Sequence, residues 1–200
     1  CVTEFKPQDL YSAKGEIELI RHAIDACGRD MVLSLSPGPA LLEQSAHLTA
    51  NANMWRMTGD YWDRWSDLYK MFERCEKWAP HVQEHHWPDC DMLPLGHIGI
   101  RAPEHDLPDR MTQFTKDEQR TMMTLWCVFR SPLMMGGEMR DNDEFTYSLL
   151  TNRDLLDIHR YGKKPRQISR RDEFVVWRSD LEDGRICIAV FNLKNTADNI

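Results

Sequence analysis

Apolar residues recur at helical spacing near the start of the chain, where Ile17, Ile20, Ile24 and Cys27 lie between Gly15 and Gly28. This predicts an amphipathic helix over 16–27, closed by a C-terminal glycine. The apolar run Met31 to Ser36, stopped by Pro37-Gly38-Pro39, predicts a buried strand. A short helix is expected over 40–48, then a second strand over 54–57. A long helix follows, with Trp62, Trp65, Leu68, Phe72 and Cys75 forming one apolar stripe ahead of Pro80. Trp62 and Trp65 are thereby assigned to its core face, and Asp63 to its first turn.

The stretch from His81 to Thr112 is irregular and rich in Pro, Gly and His, with Met92-Leu93-Pro94-Leu95 as the end of a third strand. Thr115-Lys116-Asp117-Glu118 is a capping box that opens a helix carrying Met122, Met123, Leu125, Trp126 and Phe129. Pro132 to Gly137 reads as a fourth strand, and helical segments follow over 143–150 and 153–159. Strands alternating with helices in this way imply an α/β fold of parallel units with right-handed crossovers. Beyond Gly162 the pattern changes. Phe174 to Trp177 and Ile186 to Phe191 flank Asp183-Gly184, which predicts an antiparallel hairpin. The expected division is an α/β unit over 1–162 and the beginning of an all-β unit over 163–200, with both chain ends reading as cut.

Composition narrows the function. A net charge of -7 over 200 residues argues against a nucleic-acid surface, which needs clustered Lys and Arg. No apolar run is long enough to span a membrane. The expected partner is a neutral or small molecule. The six cysteines are scattered without a CxxC pair, and most read as small buried hydrophobes.

Candidate chemistry gathers where the second strand gives way to its helix, because parallel α/β folds bind ligands outside the carboxyl ends of their strands. Asp60 is the leading catalytic candidate, with Asp89 and Asp91 at the end of the next strand. Asp60 and Asp63 can equally serve as helix-capping carboxylates. Trp55, Tyr61, Trp62, Trp65 and Trp87 offer sugar-stacking walls, although tryptophans at helical spacing are more often core. Rings crowded around Asp60 would supply the apolar setting in which a carboxyl keeps its proton, as glycoside hydrolysis requires of its general acid. Arg56, four residues earlier, suits either an ion pair with Asp60 or a sugar hydroxyl. His81, Glu84, His85, His86, Asp89 and Asp91 hold enough ligating groups for zinc or iron, but Pro80 and Pro88 break the helix that such spacing would need.

Three motifs then line up. Trp55-Arg56-Met57-Thr58-Gly59-Asp60, Trp87-Pro88-Asp89-Cys90-Asp91-Met92-Leu93 and Arg130-Ser131-Pro132-Leu133-Met134-Met135-Gly136-Gly137 resemble, in order and spacing, glycoside hydrolase family 27. This is the α-galactosidase and α-N-acetylgalactosaminidase family, and the resemblance runs over about residues 15–162. It implies a partial (β/α)8 barrel, strands five to eight, followed by the start of an antiparallel β-sandwich. It also implies retaining hydrolysis of terminal α-linked galactose-type sugars in an oligosaccharide or glycoconjugate, by two aspartates and without metal or cofactor. Asp60 takes the place of the general acid/base at the end of the sixth strand. Arg56 becomes a substrate contact, and Asp91 with Met92 lines the sugar pocket, with Trp87 beside them. The family's nucleophilic aspartate, in a Lys-x-Asp context, is expected just ahead of Cys1, so these 200 residues alone are expected to be inactive.

The resemblance also touches specificity. Where α-galactosidases carry a Glu that reads the sugar's 2-hydroxyl, this chain has Ser36, which leaves room for a 2-acetamido group and makes an α-N-acetylgalactosaminidase the alternative. The departing loop Pro37-Gly38-Pro39 matches neither subgroup. A non-catalytic carbohydrate-binding barrel, keeping the aromatic walls and Arg56 without needing an acid, is the remaining alternative.

Overall fold

The computed structural model describes residues 13–36, 38–100 and 108–194. Cys1 and Pro37 lie outside the described residues. Helix α1 spans Lys14–Ala26, followed by strand β1 (Ser34–Leu35), a 3-10 turn at Leu42–Gln44, helix α2 (Ser45–Asn51) and strand β2 (Met54–Arg56). Helix α3 (Trp65–Trp78) leads through a 3-10 turn to β3 (Trp87–Asp89). The strands pair in the order β1-β2-β3, all parallel, with Leu35 opposite Trp55 and Arg56 opposite Asp89. Chain connectivity through helices is what permits parallel pairing, since a tight turn cannot return a strand in the same direction.

Asn53 knits the entry ends of these short strands together. Its side-chain oxygen accepts from the Leu33 amide at 2.9 Å, and its side-chain amide donates to the His85 carbonyl at 3.2 Å. Above it, Trp55 is fully buried and packs on Trp78 of α3, at 6.1 Å between ring centroids. Alternation along the strand sends Arg56 to the opposite face.

The third strand falls five residues earlier than the sequence suggests. Pro88 hides it, because proline usually argues against a paired strand. Here Trp87 donates to the Asn53 carbonyl and Asp89 accepts from Met57, so the ladder to β2 uses the residues on either side of Pro88. Pro88 turns its missing donor away from that ladder. Leu93 instead forms a single parallel bridge with Met135, which is all the regular pairing that the predicted fourth strand makes among the described residues.

Strand β4 (His97–Ile98) pairs antiparallel with β5 (Arg110–Met111). Helix α4 (Lys116–Phe129) opens on the complete capping box of Thr115 and Glu118. Its buried face, including Met122, Met123, Leu125, Trp126 and Phe129, forms the centre of the core. Helices α5 (Glu144–Leu150) and α6 (Arg153–Tyr161) start on Asp143 and Asn152, whose side chains accept from backbone amides three residues on. Arg130, in a left-handed conformation just past α4, donates to the His159 and Arg160 carbonyls at the end of α6. A cation at a helix C-terminus is well placed against its exposed carbonyls.

At Gly162 the chain switches to an antiparallel meander of β6 (Gly162–Arg171), β7 (Phe174–Leu181) and β8 (Ile186–Asn192). The hairpin of β7 and β8 was expected, but β6 was not. Its sequence GKKPRQISRR lacks apolar alternation because it is an edge strand, and edges are commonly guarded by Lys, Arg and Pro. The meander shares the core of the α/β part: Phe191 meets Phe72 edge-on at 5.0 Å, and Trp177 meets Phe129 at 6.2 Å.

Candidate active site

Three of the residues singled out in the sequence converge on the guanidinium of a fourth. Arg56, the last residue of β2, donates through Nη1 to Ser36 Oγ at 3.3 Å and through Nη2 to Asp60 Oδ1 at 3.0 Å. The same Nη2 stands 2.9 Å from Asp91 Oδ2. Ser36 directly follows β1, Asp60 lies in the loop after β2, and Asp91 lies just past β3. The cluster therefore sits at the carboxyl ends of three adjacent parallel strands, where α/β folds place their chemistry.

Asp91 is the most tightly held member. It adopts a left-handed backbone, φ 74°, and accepts from the Tyr61 amide at 2.8 Å as well as from Arg56. Burial raises its carboxyl above the usual range, and these two donors work against that rise. Its own amide donates to Asp89 Oδ1 at 2.8 Å. Asp89 is buried, and loss of hydration is the main reason its carboxyl is pushed up to about 6. The hydrogen bond from Asp91 opposes the shift, while the Asp91 charge reinforces it. Cys90 between them is buried, with its amide bound by Ser131 Oγ at 2.9 Å. Met92 packs against Gly136.

Asp60 is not enclosed by rings. Its side chain is 53% exposed, whereas those of Arg56 and Asp91 are 12% and 16% exposed. The aromatic neighbours expected to surround it mostly face the core: Trp55 meets Trp78, Tyr61 meets Trp126 at 5.1 Å, and Trp65 meets Tyr69. Trp87 begins β3, two residues below Asp89, with its ring against His85 at 6.2 Å. It shares the face of Asp89 by strand alternation but lies a layer beneath the Arg56 cluster.

Two assignments around Asp60 change. Trp62 precedes α3 rather than lying on its core face, and is half-buried along a cleft with His97, Ile98 and Gly136-Gly137. Asp63 is not in the first turn of α3. It is buried and clamps Arg110 of β5 with bonds of 2.5 and 2.7 Å, while also accepting from the Gln113 amide. Burial opposes its ionisation, but the Arg110 and Gln113 bonds prevail and hold its carboxyl below the usual value. No periodicity in the sequence links Asp63 to a residue 47 positions away.

The histidine-rich loop disperses its ligand-capable groups. His86 Nδ1 lies 2.8 Å from the Ala52 carbonyl, His81 meets Trp78 edge-on, and Glu84 faces Arg130 at 3.9 Å. Among the described residues no three His, Cys, Asp or Glu side chains converge to hold a metal.

Known proteins share the sequence and the fold. The family model described as alpha galactosidase A matches residues 5–161. The chain is similar to alpha-galactosidase 2 of Arabidopsis thaliana, 25% identical over 150 residues, which cover 74% of this chain and 34% of that protein. It is likewise 25% identical to human alpha-galactosidase A over 184 residues, 85% of this chain and 39% of that one. Among solved structures, a family 27 β-L-arabinopyranosidase from Geobacillus stearothermophilus superposes with a TM-score of 0.87 at 60% identity, covering 90% of this chain and 41% of that one. A candidate α-N-acetylgalactosaminidase from Bacillus halodurans C-125 superposes with a TM-score of 0.74 at 52% identity, covering 90% and 40%. The chain thus spans between 34% and 41% of the length of these relatives. With the profile covering most of the sequence and the Arg56 cluster at the strand ends, the chain belongs to glycoside hydrolase family 27.

Proposed function

We propose that the whole protein is a retaining glycoside hydrolase acting on terminal pyranosides of galactose configuration, with Asp60 as its general acid/base. The observation that carries this reading is the joining of Asp60 and Asp91, from two adjacent strand ends, through one arginine. In this reading β1, β2, β3 and the segment bridging at Met135 correspond to strands five to eight of a (β/α)8 barrel. The antiparallel meander starts the β-sandwich. The nucleophilic carboxylate is assigned to a part of the protein outside these 200 residues.

Each residue then has a task. The nucleophile attacks the anomeric carbon while Asp60 gives its proton to the departing glycosidic oxygen. Asp60 next takes a proton from water, which hydrolyses the glycosyl-enzyme. The Asp60 carboxylate paired with Arg56 carries no proton; a sugar hydroxyl that engages the guanidinium would release it, and the freed carboxylate has to take a proton from solvent before it can act as the acid. The exposure of Asp60 leaves its carboxyl accessible to substrate. Asp91, fixed by the Tyr61 amide, accepts from a hydroxyl of the bound sugar, and Met92 packs against the ring. Ser36 stands beside Arg56 where the substituent at C2 would lie.

A second reading within the same chemistry is hydrolysis of β-L-arabinopyranosides, favoured by the 60% identity to an arabinopyranosidase over most of this chain. The β-L-arabinopyranoside ring matches an α-D-galactopyranoside in its hydroxyl configuration and lacks only the hydroxymethyl group.

The test uses the full-length protein with aryl α-galactoside, α-N-acetylgalactosaminide and β-L-arabinopyranoside. Turnover of the first or third with retention supports the reading, and their ratio decides between the two sugars. Preference for the second would mean that the small Ser36 side chain sets specificity. Asp60→Ala is expected to lower hydrolysis of unactivated glycosides by about 100-fold or more. Near wild-type turnover would overturn the assignment. Sugar binding that survives Asp60→Asn in a protein without turnover would favour a binding module instead.

A further inference from the structure

The cleft bordered by Trp62 lies outside the Arg56 cluster but is tied to it at both ends. From Asp60 burial alternates along the chain: Asp60 is exposed, Tyr61 buried, Trp62 half-buried and Asp63 buried. Asp60 and Trp62 are thus the solvent-reached members of this segment, while Tyr61 and Asp63 anchor it in the protein. At the other end, the cleft floor at Gly136 lies against Met92, the neighbour of Asp91.

The cleft measures about 360 Å3 and is walled by the ring of Trp62 on one side and by Ile98 and Ile100 on another, over a floor of Gly136 and Gly137. Its construction is rigid. The buried Asp63–Arg110 clamp ties the Trp62 segment to β5, and β5 pairs with β4, which carries His97 and Ile98. The His97 ring is held between Asp141, at 2.7 Å from Nδ1, and Asp109 at Nε2. Both ring nitrogens are thereby engaged. The Glu138 amide donates to the His97 carbonyl, and its carboxylate pairs with Arg140. The floor admits no side chain at Gly137, where a Cβ would stand 2.1 Å from the Leu95 carbonyl oxygen.

We propose that this cleft is the leaving-group subsite, with Trp62 as the platform on which a second pyranose ring of the substrate stacks. This deepens the glycosidase reading given above and rests on it. A general acid protonates the oxygen between the two sugars, so the departing sugar must lie against the acid, on the side away from the nucleophile. Trp62 is the half-buried ring two residues from Asp60, and the cleft of about 360 Å3 leaves room for a pyranose beside it. An indole face with flanking isoleucines suits the apolar C–H face of a sugar, and the Glu138 carboxylate on the rim accepts from its hydroxyls.

The test compares two substrates of the full-length enzyme with the same glycone: a disaccharide, and the glycosyl fluoride, which has no leaving sugar to stack. Trp62→Ala is expected to lower kcat/KM for the disaccharide by about tenfold relative to the fluoride, with the loss mostly in KM, and Trp62→Phe to restore most of the ratio. An unchanged ratio, with both substrates slowed equally or neither slowed, would overturn the subsite. Matching thermal melts of Trp62→Ala and wild type exclude misfolding as the cause. The glycosidase reading fails separately, by absence of turnover of either substrate in the wild type.

Discussion

Asp89 offers a direct test of the electrostatics at the end of β3. It is buried, and its carboxyl moves from an ordinary value of 3.8 to about 6, mainly through loss of hydration. Between those two values the native state holds a proton that the unfolded chain has released. The contribution of Asp89 to stability is therefore most favourable below about pH 4, and it declines as the pH rises to about 6. At about 1.4 kcal/mol for each pH unit across that window, ionised Asp89 costs about 3 kcal/mol above pH 6. Asp89→Asn removes the charge and keeps an oxygen to accept from the Asp91 amide. The stability gain of this variant is expected to grow from near zero at pH 4 to about 3 kcal/mol at pH 7.5. Urea unfolding of the full-length protein and the variant across that range, with linear extrapolation, measures it. A difference that stays flat to within about 0.5 kcal/mol, or grows towards low pH, would refute the reasoning.

Other substitutions probe the frame around the site. Asp63→Ala strands Arg110, which is 16% exposed, and should cost about 3–5 kcal/mol, read as a lowered melting temperature. The double variant with Arg110→Met should recover part of that loss. Tyr61→Phe deletes a buried hydroxyl without a hydrogen-bond partner among the described residues, so its stability should change by less than about 0.5 kcal/mol or rise. A loss above about 1 kcal/mol in a urea titration would show that the hydroxyl is bonded. The adjacent glycines should separate: Gly137→Ala drives its Cβ into the Leu95 carbonyl and should cost more than about 2 kcal/mol. Gly136→Ala meets the Met92 side chain along its length, 2.5 Å from the sulfur, 2.9 Å from Cγ and 3.0 Å from Cβ, and should cost about 1 kcal/mol, less than Gly137→Ala because no backbone atom blocks it. Equal thermal shifts in the two variants would contradict this.

Local signals were legible wherever one element carried its own evidence. The capping box of Thr115 and Glu118, the apolar stripe through Leu68, Phe72 and Cys75, and the Asp183-Gly184 turn each involve neighbours within a few residues. Strand β3 escaped because Pro88 argued against it. Only the ladder shows that its missing donor faces away from β2. Strand β6 escaped because an edge needs no apolar alternation.

By itself the sequence determined the alternation of strands and helices, the family, and which charged residues stand near the strand ends, because periodicity and motif spacing are short-range properties. Tertiary structure alone decided how those residues relate. It tied Ser36, Asp60 and Asp91 to one Arg56 guanidinium, turned Asp63 from a helix carboxylate into a clamp on Arg110, and freed Trp62 from the core to line a cleft. These relations depend on which strand ends are adjacent and which side of an extended segment faces solvent. Both follow from long-range packing that no local pattern encodes.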